Sequence, residues 1–235
     1  MTAKEILAEL KPLGNAGYKR VIFNHGVREP CYGVKISDLQ KIRKRLKTDY
    51  QLALDLYDTG VYDAMYLAGL IADDARMTKK DLERWVAKAY CKPLCSSTVA
   101  WVAAGSPHGW DVAREWIDSK APFTAAAGWA TLNSLVSIKD DSELDLAELK
   151  RLLQRVQKTI HQAPNAPRAF MNWFVISVGT YVSSLTETAI QIGEKIGPVM
   201  VDMGDTECQV PYAPDYIGKV EKRGSIGKKR KTAKC

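Results

Sequence analysis

Histidine is scarce in this chain: His25, His108 and His161 are the three among 235 residues, and they lie far apart in sequence. Cysteine is hardly commoner, with five residues and one close pair, Cys91-x-x-x-Cys95. Structural zinc usually takes closer cysteine spacing with a second pair or histidines. No metal and no other cofactor is therefore expected. A cysteine- or metal-dependent enzyme has no local support beyond that pair and the isolated histidines. An odd number of scattered cysteines in a chain of this size reads as reduced thiols in a cytoplasmic protein. No apolar run reaches the ~18 residues of a membrane span, so no membrane association is expected. Met1–Leu13 carries Lys4, Glu5, Glu9 and Lys11 among its apolar residues and reads as an amphipathic helix instead of a signal peptide. There is no G-x-G-x-x-G, no P-loop and no G-x-S-x-G, which disfavours the common nucleotide-dependent and hydrolase classes.

Charge of one sign is missing from most of the chain. The formal net charge is +7, but residues 218–235 hold eight Lys and Arg against one Glu, leaving 26 residues of each sign in 1–217. A basic tail on a neutral body suits nucleic acid or an anionic surface, or else is a solvated, partly disordered end.

What is present is a recurring pattern. Asp63–Leu70, Thr98–Gly105, Ala126–Asn133 and Phe170–Ser177 each centre on one aromatic residue, Tyr66, Trp101, Trp129 or Trp173, among small and apolar neighbours. Amphipathic segments such as Lys79–Ala89, Gly109–Ile117 and Asp145–Ile160 lie between them. Buried small-residue helices alternating with amphipathic outer ones predict an all-α helical-repeat solenoid of the HEAT or armadillo kind. Capping patterns at Ser37/Gln40, Thr48/Gln51, Thr78/Asp81, Ser142/Asp145 and Ser184/Glu187 mark helix starts, with prolines between helices. The repeat domain is expected over 1–197, and 198–235 as a small C-terminal extension. Within the extension, Val199–Met203 alternates, Gly204-Asp205 can turn and Thr206–Val210 can pair back, which reads as a β-hairpin. A short helix over Tyr212–Arg223 and a basic end follow.

A solenoid lines its concave face with one layer of helices, where aromatics can stack on bases and cations can hold phosphates. Trp129 with Asn133, four residues later, and Trp173 beside Asn172 are candidates, because a polar residue on an apolar helix needs a partner or a groove. His161 and Arg168 belong to a polar cluster leading into the Trp173 helix, read either as a ligand contact or as a hydrogen-bonded loop fixing two helices. Lys35, Lys41 and Lys44 belong to a basic run in which no acid falls from Gln40 to Lys47, suited to a phosphate backbone or to a solvated face.

These features meet in one resemblance. Tyr32–Leu39 resembles the aromatic–glycine–apolar segment that opens repeats in the bacterial DNA alkylation repair proteins, the HEAT-like alkylpurine glycosylases. Leu54–Tyr57 with Tyr62–Ala72 is similar to the next repeat there, and Trp116–Ser119 and Asn172-Trp173 fall in register, covering roughly 20–195. The resemblance implies an all-α solenoid whose positively charged concave face holds duplex DNA. It also implies excision of N3- or N7-alkylated purines, with a carboxylate and tryptophans stabilising oxocarbenium-like charge. The family carries that carboxylate in a Trp-Trp-Asp segment, which aligns here with Pro93–Thr98, where there is neither Trp nor acid. An expected Arg falls near Ala125–Ala126, and Trp173 alone matches an active-site tryptophan. Catalytic residues are thus left unassigned, Asp63 and Asp111 being the nearest acids. Two readings stand: a DNA-binding protein of this family, with alkylpurine excision in doubt, and a non-catalytic scaffold holding a protein or peptide in its groove.

Overall fold

The computed structural model describes residues 1–234, and most of these are helical. In chain order the helices are α1 (Ala3–Leu10), α2 (Ala16–Asn24), α3 (Ile36–Leu46), α4 (Tyr50–Asp58), α5 (Tyr62–Ile71), α6 (Lys79–Lys88), the short α7 (Lys92–Leu94), α8 (Ala100–Gly105), α9 (Gly109–Trp116), α10 (Pro122–Ile138), α11 (Leu146–Thr159), α12 (Asn165–Tyr181), α13 (Thr186–Ile196) and α14 (Ala213–Lys222). A π-helical turn, Cys95–Val99, joins α7 to α8 without a break. No described helix is long and apolar enough to cross a membrane.

The four aromatic-centred stretches are the buried layer. All ten residues of α5 are buried, as are five of six in α8, 11 of 17 in α10 and 12 of 17 in α12. Helices apolar all round must be covered on all sides. α4 packs on α5, α9 on α10, and α13 on α12, while α10 and α12 lie against each other. Small residues set the spacing. A Cβ on Gly128 would stand 2.7 Å from the Ile117 backbone nitrogen and 3.0 Å from Ala113 O, atoms that cannot step aside. Gly128→Ala is expected to cost about 1–3 kcal/mol of unfolding free energy by overpacking, read from urea unfolding midpoints.

The helix starts divide between two chemistries. Thr78 and Asp81 form the expected capping box. Elsewhere acids displace the expected hydroxyls: Asp49, not Thr48, caps α4, and Asp145 caps α11, while Asp140 rather than Ser142 caps the turn before it. A carboxylate accepts a stronger, charge-assisted bond from the first-turn N–H groups than a hydroxyl does. Ser37 and Ser184 do not cap, since α3 starts at Ile36 behind Lys35 and α13 starts behind Leu185.

The hairpin expected over 199–210 does not form. This segment makes no strand pairing, and its polar backbone is taken up by helix side chains. Asn165 exchanges two hydrogen bonds with the Asp202 backbone, Arg168 donates to Met200 O, Lys92 donates to Asp202 O, and Asn24 donates to Asp205 O. An isolated two-stranded ribbon has no sheet to bury a face against, whereas these side chains satisfy the backbone one group at a time. The following helix forms as expected, and α14 packs on α12 and α13 with Ile217 fully buried. The basic end runs back over the helices, with Ala233 buried, while Arg223, Lys228, Arg230 and Lys231 stay exposed.

Candidate nucleic-acid interface

A groove of about 760 Å³ lies where α12, the start of α10 and the π-helical turn converge. Phe123 comes from the first turn of α10, Phe170 and Trp173 from α12, and Lys92, Ser96 and Ser97 from α7 and the π turn. The end of α2 closes the far side, and the segment 202–210 crosses the opening. With Phe23 from the end of α2, its walls therefore combine four aromatic rings with hydroxyls and one ammonium. Lys92 is half-buried, and burial lowers its pKa from the ordinary lysine value. No carboxylate from any helix reaches this wall; Asp202 and Asp205 of the crossing segment are the acids there.

The aromatic residues singled out in sequence part company. Tyr66 and Trp101 pack edge to face at 5.8 Å in the core. Trp129 is 2% exposed, its ring 5.4 Å from Phe174 and under the Arg155 guanidinium at 5.7 Å. It has no free face on which a base could stack. Trp173 differs: it is half-buried, lines the groove, and sets its ring edge-on to Tyr216 at 5.4 Å.

The polar cluster is likewise occupied. His161 Nε2 lies 2.9 Å from Ile196 O, Arg168 binds Ala163 O and Met200 O, and Asn172, almost wholly buried, donates to Pro211 O at 2.9 Å. Together with Asn165 these side chains fasten residues 196–211 to α12 and to the turn before it. The hydrogen-bonded-loop reading of the cluster fits this placement. Asn133 donates to Phe170 O at 3.2 Å, tying α10 to α12. Lys35, Lys41 and Lys44 are exposed on or beside α3, away from the groove walls, and Lys41 pairs with Asp38 at 2.7 Å.

Neither acid nominated in sequence faces the groove. Asp63 is fully buried and accepts the N–H groups of Tyr32 and Val34 at 2.6 and 2.7 Å. Asp111 stands on the outer helix α9, paired with Arg114 at 3.0 Å. Burial pushes the Cys91 thiol up to about 12 and raises Cys95 too, which keeps both protonated and poorly nucleophilic at neutral pH. No group of three His, Cys, Asp or Glu among the described residues is placed to hold a metal ion.

A family model described as DNA alkylation repair enzyme matches residues 6–213. The chain belongs to that family. Two uncharacterized relatives span it almost end to end. One, from Listeria innocua, is 31% identical over 95% of this chain and 99% of the relative. The other, from Listeria monocytogenes, is 30% identical over the same shares. A solved structure superposes with a TM-score of 0.93 at 34% identity, covering 100% of both chains. It is described as a new family of proteins related to the HEAT-like repeat DNA glycosylases, with affinity for branched DNA structures. The HEAT-like solenoid is thus the fold of this DNA alkylation repair family member. Pro93–Thr98, the stretch that the resemblance sets against the glycosylases' Trp-Trp-Asp, runs from α7 into the π-helical turn, and its Ser96 and Ser97 line the groove. Sequence reasoning missed Phe123, Phe170 and Lys92 as groove residues; Phe123, directly after a helix-starting proline and 36% exposed, carried the one available signal, a large ring in a first turn.

Proposed function

We propose that this chain binds branched DNA through the side of the solenoid that bears the aromatic groove, and that it does not excise bases. The observation that carries the reading is the groove itself: four aromatic rings and an ammonium, with its two carboxylates, Asp202 and Asp205, on the crossing segment and none on a helix where the glycosylases' acid would stand. Loss of that one group removes the main electrostatic element of glycosidic cleavage and leaves stacking and phosphate contacts, which suffice for binding. The affinity for branched DNA described for the 34%-identical neighbour supports the same reading. An unpaired nucleotide at a branch point offers the open base face that an aromatic groove can cover, and Trp173 and Phe123 are the rings placed to cover it. Lys35, Lys41 and Lys44 are assigned to an outlying phosphate backbone.

Binding to a four-way junction and to a linear duplex of equal length, followed by fluorescence anisotropy across a salt series, tests this. Junction binding is expected to be tighter and to fall with added salt as counterions are released. A parallel incubation with duplex carrying N7-methylguanine is expected to yield no abasic sites above background. Equal affinity for both DNAs, or catalytic base release, sinks the reading.

A further inference from the structure

Eight cations lie after residue 217, and the tertiary structure separates them into anchors and free groups. Lys229 is an anchor: its Nζ lies 2.8 Å from Asp141 Oδ1 and donates to Val136 O at 2.9 Å. Lys234 is another, 2.7 Å from Asp74 Oδ1 and donating to Ala72 O at 2.8 Å. Backbone bonds of 2.8 Å run from Gly227 N–H to Thr180 O and from Arg230 N–H to Ser137 O. The tail therefore crosses the C-terminal ends of α12, α10 and α5 in turn, meeting carbonyls that helix ends leave without intrahelical partners.

Arg223, Lys228 and Arg230 are the free kind. They line a depression of about 500 Å³ between α10, α12 and α14, and none of them forms an ion pair among the described residues. The remaining wall is rich in hydroxyls, from Ser134, Ser177, Thr180 and Tyr181, and includes no carboxylate. Thr180 is 6% exposed and its hydroxyl has no hydrogen-bond partner. Tyr216, 37% exposed, stands at the mouth beside Trp173, which also lines the aromatic groove. The two depressions thus share one lining residue, Trp173.

The location alone would be wrong for an anion. The C-terminal end of a helix carries about half a negative charge, and two long helices end here. The docked tail reverses that. Lys229 and the two backbone N–H groups cover the exposed carbonyls of Val136, Ser137 and Thr180, so the three free cations act on an end already neutralised. We propose that the docked C-terminal tail completes a phosphodiester-binding site, formed by Arg223, Lys228 and Arg230 over the ends of α10 and α12, that grips the DNA strand whose base reaches the aromatic groove. This rests on the branched-DNA reading above.

The test uses the full chain and four-way-junction DNA, with anisotropy titrations between 50 and 200 mM NaCl. Lys228→Ala/Arg230→Ala is the site variant. Lys231→Ala removes an equally exposed neighbouring cation that does not line the depression. Lys229→Ala undocks the tail while leaving all three free cations in the sequence. Thermal midpoints are read for every variant. The site variant is expected to lose ~tenfold or more in affinity at 150 mM salt, with the slope of log K against log salt shallower by about two. Lys231→Ala is expected to stay within ~twofold of the native chain, and Lys229→Ala to lose most of what the site variant loses. An unchanged slope in the site variant, or an equal loss from Lys231→Ala, overturns the phosphate site while native junction binding keeps the wider reading intact. Failure of the native chain to bind junction DNA overturns both.

Discussion

Asp63→Ala is expected to destabilise the fold by about 3 kcal/mol, the cost of leaving two buried N–H groups without an acceptor. In a chain of this length that corresponds to a fall in melting midpoint of roughly 6–12 °C. Asp63 sits in the first turn of α5 with no exposed surface, and its two oxygens each take one backbone N–H, from Tyr32 and Val34. Between those donors lies Gly33 at φ +77, where a Cβ would stand 2.6 Å from that of Lys19. The carboxylate therefore fixes a left-handed turn that closes α2 and α3 over α5. Its influence reaches Cys31, whose thiol is pushed up to about 12 by burial first and by the Asp63 charge second. Asp63→Asn keeps one acceptor and presents an amide to the other donor, so an intermediate loss is expected. Thermal and urea unfolding of the three proteins decide the matter. A loss under 1 kcal/mol for Asp63→Ala would falsify the structural role and reopen Asp63 as a group with other work to do.

Trp129→Ala and Trp173→Ala are expected to fail in opposite assays. Trp129 fills the seam between α10 and α12 against Phe174, and truncating a fully buried Trp costs about 3–5 kcal/mol. Whatever fraction remains folded should bind junction DNA as the native chain does. Trp173 is half-buried and touches Tyr216 edge-on, so its truncation removes less buried surface, about 1 kcal/mol. Base stacking on an aromatic is worth about 1–3 kcal/mol by alanine substitution, and Trp173→Ala is expected to weaken junction binding about tenfold with little change in melting midpoint. Midpoints and anisotropy measured on both variants separate the roles. Equal DNA-binding loss per folded molecule in both would remove the distinction drawn from their burial.

Much of the fold was legible because helix periodicity is a local property. The stretches around Tyr66, Trp101, Trp129 and Trp173 announce helices without a polar face, and such helices have to form an inner layer. Thr78 and Asp81 announce a helix start because both halves of the capping box lie within four residues. The same local logic misplaced the starts near Thr48 and Ser142, where an acid one to three residues away is the stronger acceptor. It misplaced the hairpin as well. The alternation of Val199–Met203 is real, but the partners that claim this backbone, Lys92, Asn165 and Arg168, sit on helices elsewhere in the chain.

The candidate site was legible in type and not in position. Sequence marked aromatic rings and cations as the material of a DNA-binding surface, and Trp173 was among the residues named. Whether a given ring is core or groove depends on which helix face its neighbours cover, and that separates Trp129 from Trp173 although both sit on helices of the inner layer. Polar residues on apolar helices had to find partners; that Asn172 would find Pro211 O, and Arg168 the carbonyl of Met200, depends on a crossing segment over thirty residues downstream.

The sequence by itself determined an all-α repeat with a charge-neutral body and its net positive charge in the last eighteen residues, because composition and short-range spacing carry that information. Only the tertiary structure decided where the charge acts. Lys229 meets Asp141, and Lys234 meets Asp74, pairs 88 and 160 positions apart in the chain. No spacing rule links groups so far apart; the solenoid brings the ends of α5, α10 and α12 into one row, and the tail is laid along that row by the carbonyls those helices leave open.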